Sequence, residues 1–127
     1  MDSSLPKAPP RILIVDDHEM LRRGIESIIT NNSLGEVCGE AENGEEAIRK
    51  IEELKPDIVI LDISMPIMNG LETARHIRRI VPSPKILILT MHNTEELAEA
   101  VRTAGADVLV VKSEAASKLV DAIKRLC

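Results

Sequence analysis

Asp16, Asp17, Asp62, Thr90 and Lys112 are the residues of this chain whose types and spacing could do chemistry. Each follows a short apolar run. Asp16 and Asp17 follow Ile12–Val15, Asp62 follows Ile58–Leu61, Thr90 follows Ile86–Leu89, and Lys112 follows Val108–Val111. One Asp after an apolar run is most often a turn or cap residue. Three carboxylates gathered at one place are different, because they repel one another unless a positive charge lies between them. Oxygen-only donors suit a hard cation such as Mg2+, or Mn2+. Asp17 and Asp62 are the expected direct ligands, Asp16 is expected to act through water, and the backbone carbonyl of Ser64 would add a further oxygen.

A carboxylate held beside such a cation can attack phosphorus and form an acyl phosphate. Catalysis of phosphoryl transfer is mostly positioning and neutralisation of charge on three oxygens. The cation would take one oxygen, the Lys112 ammonium a second, and the Thr90 hydroxyl with nearby backbone N–H groups the third. Asp62 is the expected nucleophile, since it opens the loop Ser64-Met65-Pro66-Ile67-Met68-Asn69-Gly70. Lysines after strands are usually solvated, but Lys112 follows Val-Leu-Val-Val and is expected to face the acids. Thr is common in strands, so Thr90 carries weight only in this company. Asp57 lies five residues before Asp62, roughly 17 Å away along a strand, and is expected at the opposite edge as a surface residue. His18 and His92 are expected to be loop histidines, not metal ligands.

These positions need a scaffold that delivers strand ends to one edge. The four apolar runs are too short for helices and rich in branched aliphatics, which predicts buried strands. Glu36–Ala41 mixes polar and apolar residues and suits an edge strand. Between the strands, apolar residues recur at helical spacing: Leu21, Ile25, Ile28 and Ile29; Ile48, Ile51 and Leu54; Leu71, Ala74 and Ile77; Leu97, Val101 and Ala104; Leu119 and Ile123. Asn43…Glu46, Asn69…Glu72 and Asn93…Glu96 resemble N-terminal capping pairs. Strand and helix alternate five times, which predicts an α/β fold: a doubly wound, flavodoxin-like, five-stranded parallel sheet of order 2-1-3-4-5 with five helices. In such sheets the ligand site lies beyond the carboxyl ends of strands 1 and 3.

Composition narrows the function further. The 127 residues suit one domain, expected over 11–127 behind a flexible segment 1–10. The chain has no Phe, Tyr or Trp, so its core is aliphatic and a stacking site for a base or flavin is disfavoured. A net charge of −5 without a basic run disfavours direct DNA binding. Cys38 and Cys127 lack metal spacing; Cys38 is expected in the core, and a reducing compartment is the simple assumption. With no apolar stretch of membrane-spanning length and no signal peptide, a cytoplasmic location is expected and no membrane partner.

Four blocks carry a family resemblance: Ile-Leu-Ile-Val-Asp-Asp-His, Leu-Asp-Ile-Ser-Met-Pro-Ile-Met-Asn-Gly, Ile-Leu-Thr-Met-His and Gly-Ala-Asp-Val-Leu-Val-Val-Lys. In this order, over residues 10 to 126, they resemble the receiver domains of two-component response regulators, of the NarL/LuxR subfamily. The resemblance implies that Asp62 is the phosphoacceptor, Asp16 and Asp17 the metal-binding pair, Thr90 the switch hydroxyl and Lys112 the phosphate-binding lysine. It implies a sensor histidine kinase or acetyl phosphate as donor. A receiver catalyses its own phosphorylation and dephosphorylation. DNA contact would come only through a separate or missing C-terminal helix-turn-helix domain downstream of Cys127, and a homodimer on phosphorylation would use the Glu95–Leu126 region.

The chain departs from the pattern in two places. Leu109 stands where many receivers carry an aromatic switch residue, so the signal is expected through the loop after Thr90 and the helix from Thr94. Ser113 replaces the common Pro after the Lys, which makes a trans bond the default and Ser113 a candidate cap for the last helix. Ser64 and His92 flank the expected phosphoryl site and are expected to tune its lifetime. Two rivals remain at this level: a pseudo-receiver that only binds partners, which would lack an acid or the Lys, and a flavodoxin-like or nucleotide-binding enzyme, for which no glycine-rich phosphate loop follows any strand.

Overall fold

The alternation of buried runs and amphipathic segments folds into one parallel sheet. In the computed structural model, which describes residues 8–65, 68–80 and 83–127, the strands are β1 (Arg11–Val15), β2 (Glu36–Ala41), β3 (Ile58–Asp62), β4 (Lys85–Thr90) and β5 (Val108–Val111). All pair in parallel, in the order β2-β1-β3-β4-β5. The helices are α1 (Glu19–Asn31), α2 (Gly44–Leu54), α3 (Gly70–Ile80), α4 (Glu95–Thr103) and α5 (Ala115–Leu126), the last entered through a 3-10 turn at Lys112–Glu114. Residues 1–7 of the expected N-terminal segment, and Pro66 and Ile67 of the loop after Asp62, lie outside the described residues.

Successive strand residues point to opposite faces, and each face meets its own helices. Ile12, Ile14, Ile58, Ile60, Leu87 and Leu89 pack with Ile25 and Ile29 of α1 and Leu119 and Ile123 of α5. Leu13, Val15, Val59, Leu61, Ile86 and Ile88 pack with Ala47 and Ile51 of α2, Ala74 and Ile77 of α3, Val101 of α4 and Ala104 just after it. All of these core side chains are aliphatic, so at about 1.5–3 kcal/mol for each large one these burials are the main stabilising term of the sheet. The edge strand β2 slips in register against β1 between Ile12 and Leu13, whose partners are Val37 and Gly39. Cys38 is the extra residue of that bulge. The thiol expected in the core is therefore only half-buried, with its pKa raised because burial outweighs the nearby Arg11 charge.

Helix starts correct the expected caps in two places. Asn43 and Asn69 do accept from the backbone N–H groups of Glu46 and Glu72, both at 2.9 Å. Helix α4 is capped by Thr94, whose hydroxyl accepts from the Leu97 N–H at 3.1 Å, and not by Asn93. Thr94 has the extended backbone of a cap residue (φ −112°, ψ 160°), which puts its oxygen over the first turn. Ser113 does not cap α5: it lies inside the 3-10 turn, and Glu114 precedes the helix without a side-chain cap bond. Among the described residues no peptide bond is cis.

Candidate functional site

The carboxyl edge of the sheet is where the chemistry-bearing residues meet. Asp62 and Thr90 are the last residues of β3 and β4, opposite Leu89 and Val111 in their ladders, so the sheet itself fixes both. The Ile63 N–H donates to Leu89 O at 3.0 Å and carries the pairing one step past Asp62. Gly70 lets α3 start hard against this strand end, since a Cβ there would lie 2.5 Å from Asp62 O. Asp62 is 1% exposed and Asp16 0% exposed. Asp16 is anchored through its backbone: its N–H donates to Ala41 O at 3.0 Å, and its carbonyl accepts from Arg22 Nη1 at 2.6 Å.

Lys112, just past β5, closes the site. Its Nζ lies 2.9 Å from Asp62 Oδ1 and 3.6 Å from Asp16 Oδ2. Burial pushes the Asp62 carboxyl above its ordinary value, with the Asp16 charge adding to the rise and the Lys112 hydrogen bond opposing it. Burial alone would lower the Lys112 ammonium, but the hydrogen bond to Asp62 and the charges of Asp16 and Asp62 outweigh it and leave it raised. Asp62 Oδ2 and Asp16 Oδ2 are both buried without a hydrogen-bond partner among the described residues. Two negative oxygens in that condition are costly unless a cation completes them. One donor atom each from Asp16, Asp17, His18 and Asp62 lies within 4.8 Å of the others, and three of the four are carboxylate oxygens. The residues therefore fit a bound divalent ion.

The other expected residues are placed as follows. Ser64 joins through its N–H, which donates to Asp62 Oδ1 at 3.3 Å. Thr90 turns its hydroxyl to its own loop, donating to His92 O at 3.1 Å and accepting from His92 N at 3.4 Å. Asp57 is exposed at the other end of β3, where it accepts from the Arg11 N–H at 2.8 Å. Leu109 faces Ile88 across the β4–β5 ladder and packs beside the α3–α4 core.

Arg22 carried no expectation, and His18 was expected as a loop histidine outside the metal set. Arg22 is a buried guanidinium on α1, bonded to Asp16 O and, at 3.0 Å, to Glu40 Oε1; its position on the face of Ile25 and Ile29 was the available signal. His18 brings its ring into the acidic cluster, which its place directly after the two acids could have suggested.

Fold and site define a doubly wound α/β domain whose switch point between β1 and β3 holds an acidic pocket closed by a lysine. The chain belongs to the response regulator receiver domain family, which it matches over residues 12–124. It is 38% identical over 115 residues to the response regulator protein VraR of Staphylococcus aureus, covering 91% of this chain and 55% of that protein. The chain thus spans about half the length of such relatives. A LuxR-family two-component response regulator from Aurantimonas sp. SI85-9A1 superposes with a TM-score of 0.89 at 38% identity, over 94% of this chain and 85% of that one. The CheX–CheY complex from Borrelia burgdorferi gives 0.88 at 26% identity, over 94% of this chain and 90% of that one. Among the described residues no helix is long and apolar enough to cross a membrane.

Proposed function

We propose that residues 11–127 accept a phosphoryl group on Asp62 and pass the resulting change to an effector. One observation carries this reading. The Lys112 ammonium meets Asp62 Oδ1 at 2.9 Å, while the second oxygen, Oδ2, is buried and unpartnered beside the other acids. A lysine that served only as a counter-ion would leave no reason for a third acid, Asp17, to join the two it pairs with.

In the proposed reaction Asp62 Oδ2 attacks phosphorus and a new P–O bond forms. The P–N bond of a histidine-kinase phosphohistidine breaks, or the P–O bond of acetyl phosphate, and the imidazole or acetate leaves. Lys112 shifts from the carboxylate towards a phosphoryl oxygen, so the charge it balances stays in place during transfer. Asp17 and Asp62, Asp16 through water, and the Ser64 carbonyl would hold Mg2+ or Mn2+, which supplies charge neutralisation to the phosphoryl oxygens when bound. The BeF3 and Mg2+ named in the Borrelia burgdorferi complex support pairing an anion with a cation in this fold. Water attack on the same phosphorus returns the carboxylate, which makes the domain the catalyst of its own dephosphorylation.

The switch runs through Thr90. Turning its hydroxyl to a phosphoryl oxygen breaks its two contacts with His92 and frees the loop before Thr94 and α4. Leu109, lacking a ring, gives this loop no aromatic partner to move. The LuxR-family likeness and the −5 charge together favour a DNA-binding effector domain outside these residues, acting from the cytoplasm under a sensor histidine kinase. The Glu95–Leu126 region is the proposed homodimer face. Intact mass after incubation with acetyl phosphate and Mg2+ tests the core of this reading. One phosphoryl group is expected on wild type and none on Asp62→Asn; no adduct on wild type, or an undiminished one on the variant, defeats it.

A further inference from the structure

The acidic pocket holds one donor that is not an oxygen. His18 is the N-cap residue of α1, with extended backbone (φ −102°, ψ 112°), yet its side chain makes no cap bond. The ring turns back to the acids instead. Its Nδ1 lies 3.1 Å from Asp17 Oδ1 and 3.2 Å from Asp16 Oδ1, and its backbone N–H donates to Asp16 Oδ1 at 2.8 Å. Neighbouring donors around an octahedral ion with bonds of about 2.1 Å stand about 3.0 Å apart. The ring nitrogen has that spacing to Asp17 Oδ1, the carboxylate proposed as a direct ligand. Separately, Asp16 Oδ2 and Asp62 Oδ2 lack a hydrogen-bond partner on residues 0% and 1% exposed, and the nearby Lys112 ammonium, 3.6 Å from Asp16 Oδ2, is one positive charge against three acids.

We propose that His18 ligates the pocket's cation through Nδ1 and biases the site towards first-row transition ions such as Co2+ and Ni2+ over Mg2+. The inference rests on the cation site of the proposed function. Mg2+ prefers oxygen donors, whereas imidazole suits the later divalent ions, so one nitrogen raises the second group's affinity and leaves Mg2+ nearly untouched. Coordination through Nδ1 needs the tautomer with its proton on Nε2. The ring is 69% exposed, so the donor can be removed without opening the core.

The test is calorimetric titration of untagged protein with Mg2+, Co2+ and Ni2+, without a phosphoryl donor, on wild type, His18→Ala, His92→Ala and Asp62→Asn. His18→Ala is expected to lose at least about tenfold in Co2+ and Ni2+ affinity, to keep Mg2+ affinity within about twofold, and to shift the visible absorption of the bound Co2+. His92→Ala is expected to match wild type. Equal losses for all three ions, or none, overturn the role of His18, which would then be only a hydrogen-bond donor to the acids. Undiminished binding to Asp62→Asn would remove the cation site itself, a result that His18→Ala alone cannot produce.

Discussion

Replacing Lys112 with Met keeps the length of the side chain and deletes its charge. At an effective dielectric of about 20, unit charges at the observed 2.9 Å and 3.6 Å attract by about 6 and about 5 kcal/mol before desolvation. Most of that offsets the burial of the three groups. The net loss on removing one partner of a buried pair is about 3–5 kcal/mol, because the remaining charges are stranded. Lys112 keeps 16% of its side chain exposed, which puts the expected loss near about 3 kcal/mol at pH 7.5. For a domain of this size that is about 10 °C in melting temperature.

The loss should depend on pH, and its sign follows from the shifts. Asp62 is raised above 3.8, so its ionisation costs folding energy: the stability present below 3.8 is withdrawn as pH rises through its folded value. Lys112 is raised above 10.5, so its contribution is complete below 10.5 and lost as pH rises through the folded value. In Lys112→Met the Asp62 carboxyl moves up further and takes a proton more readily. The deficit against wild type should therefore shrink from pH 7.5 to pH 4.5, and wild type alone should lose this term above 10.5. Urea unfolding in EDTA at the three pH values reads all of this. A deficit below about 1 kcal/mol at pH 7.5, or one equal at pH 7.5 and 4.5, would refute the stranded-charge account.

Three further outcomes follow from the same geometry. A divalent ion that binds the folded state at 100 times its dissociation constant should add about 2.7 kcal/mol, EDTA should remove it, and Asp62→Asn should be more stable than wild type in EDTA yet gain little from the ion; calorimetric melting with and without chelator checks both halves. Gly70→Ala places a Cβ 2.5 Å from Asp62 O and 2.8 Å from Ile63 Cα; backbone cannot yield as a side chain can, so about 1–3 kcal/mol should be lost, and phosphorylation by acetyl phosphate should slow with it. Arg22→Met leaves Asp16 O without its 2.6 Å donor, an expected cost of about 1–3 kcal/mol in urea unfolding that should exceed the loss in Arg23→Met, which breaks an exposed pair with Glu19.

What could be seen from the sequence divides along a physical line. Runs such as Ile58–Leu61 were legible because a strand buried on both faces admits only aliphatics there. Their ends were harder, because hydropathy registers side chains while a ladder is made by backbone. Asp62 and Thr90 pair with Leu89 and Val111 and belong to the strands they were expected to follow. That extra residue of pairing matters to the site, since it places Asp62 on the sheet and not on a loop. The cap of α4 shows the same limit: Asn93 and Thr94 are both able acceptors, and backbone angles choose between them. Cys38 left the core through a register slip that no local pattern marks. Arg22 shared the helix face of Ile25 and Ile29, but its partners were illegible for a different reason. A guanidinium can be buried on α1 only because Asp16 O and Glu40 lie across the β1–β2 edge to receive it, a long-range condition that helical spacing does not contain. His18 stands directly after the acids in sequence, but its ring faces them only through the turn that starts α1. Strand order thus suffices to bring Asp16, Asp62 and Lys112 together. The donors that would tune the cation sit at helix starts, where local geometry decides.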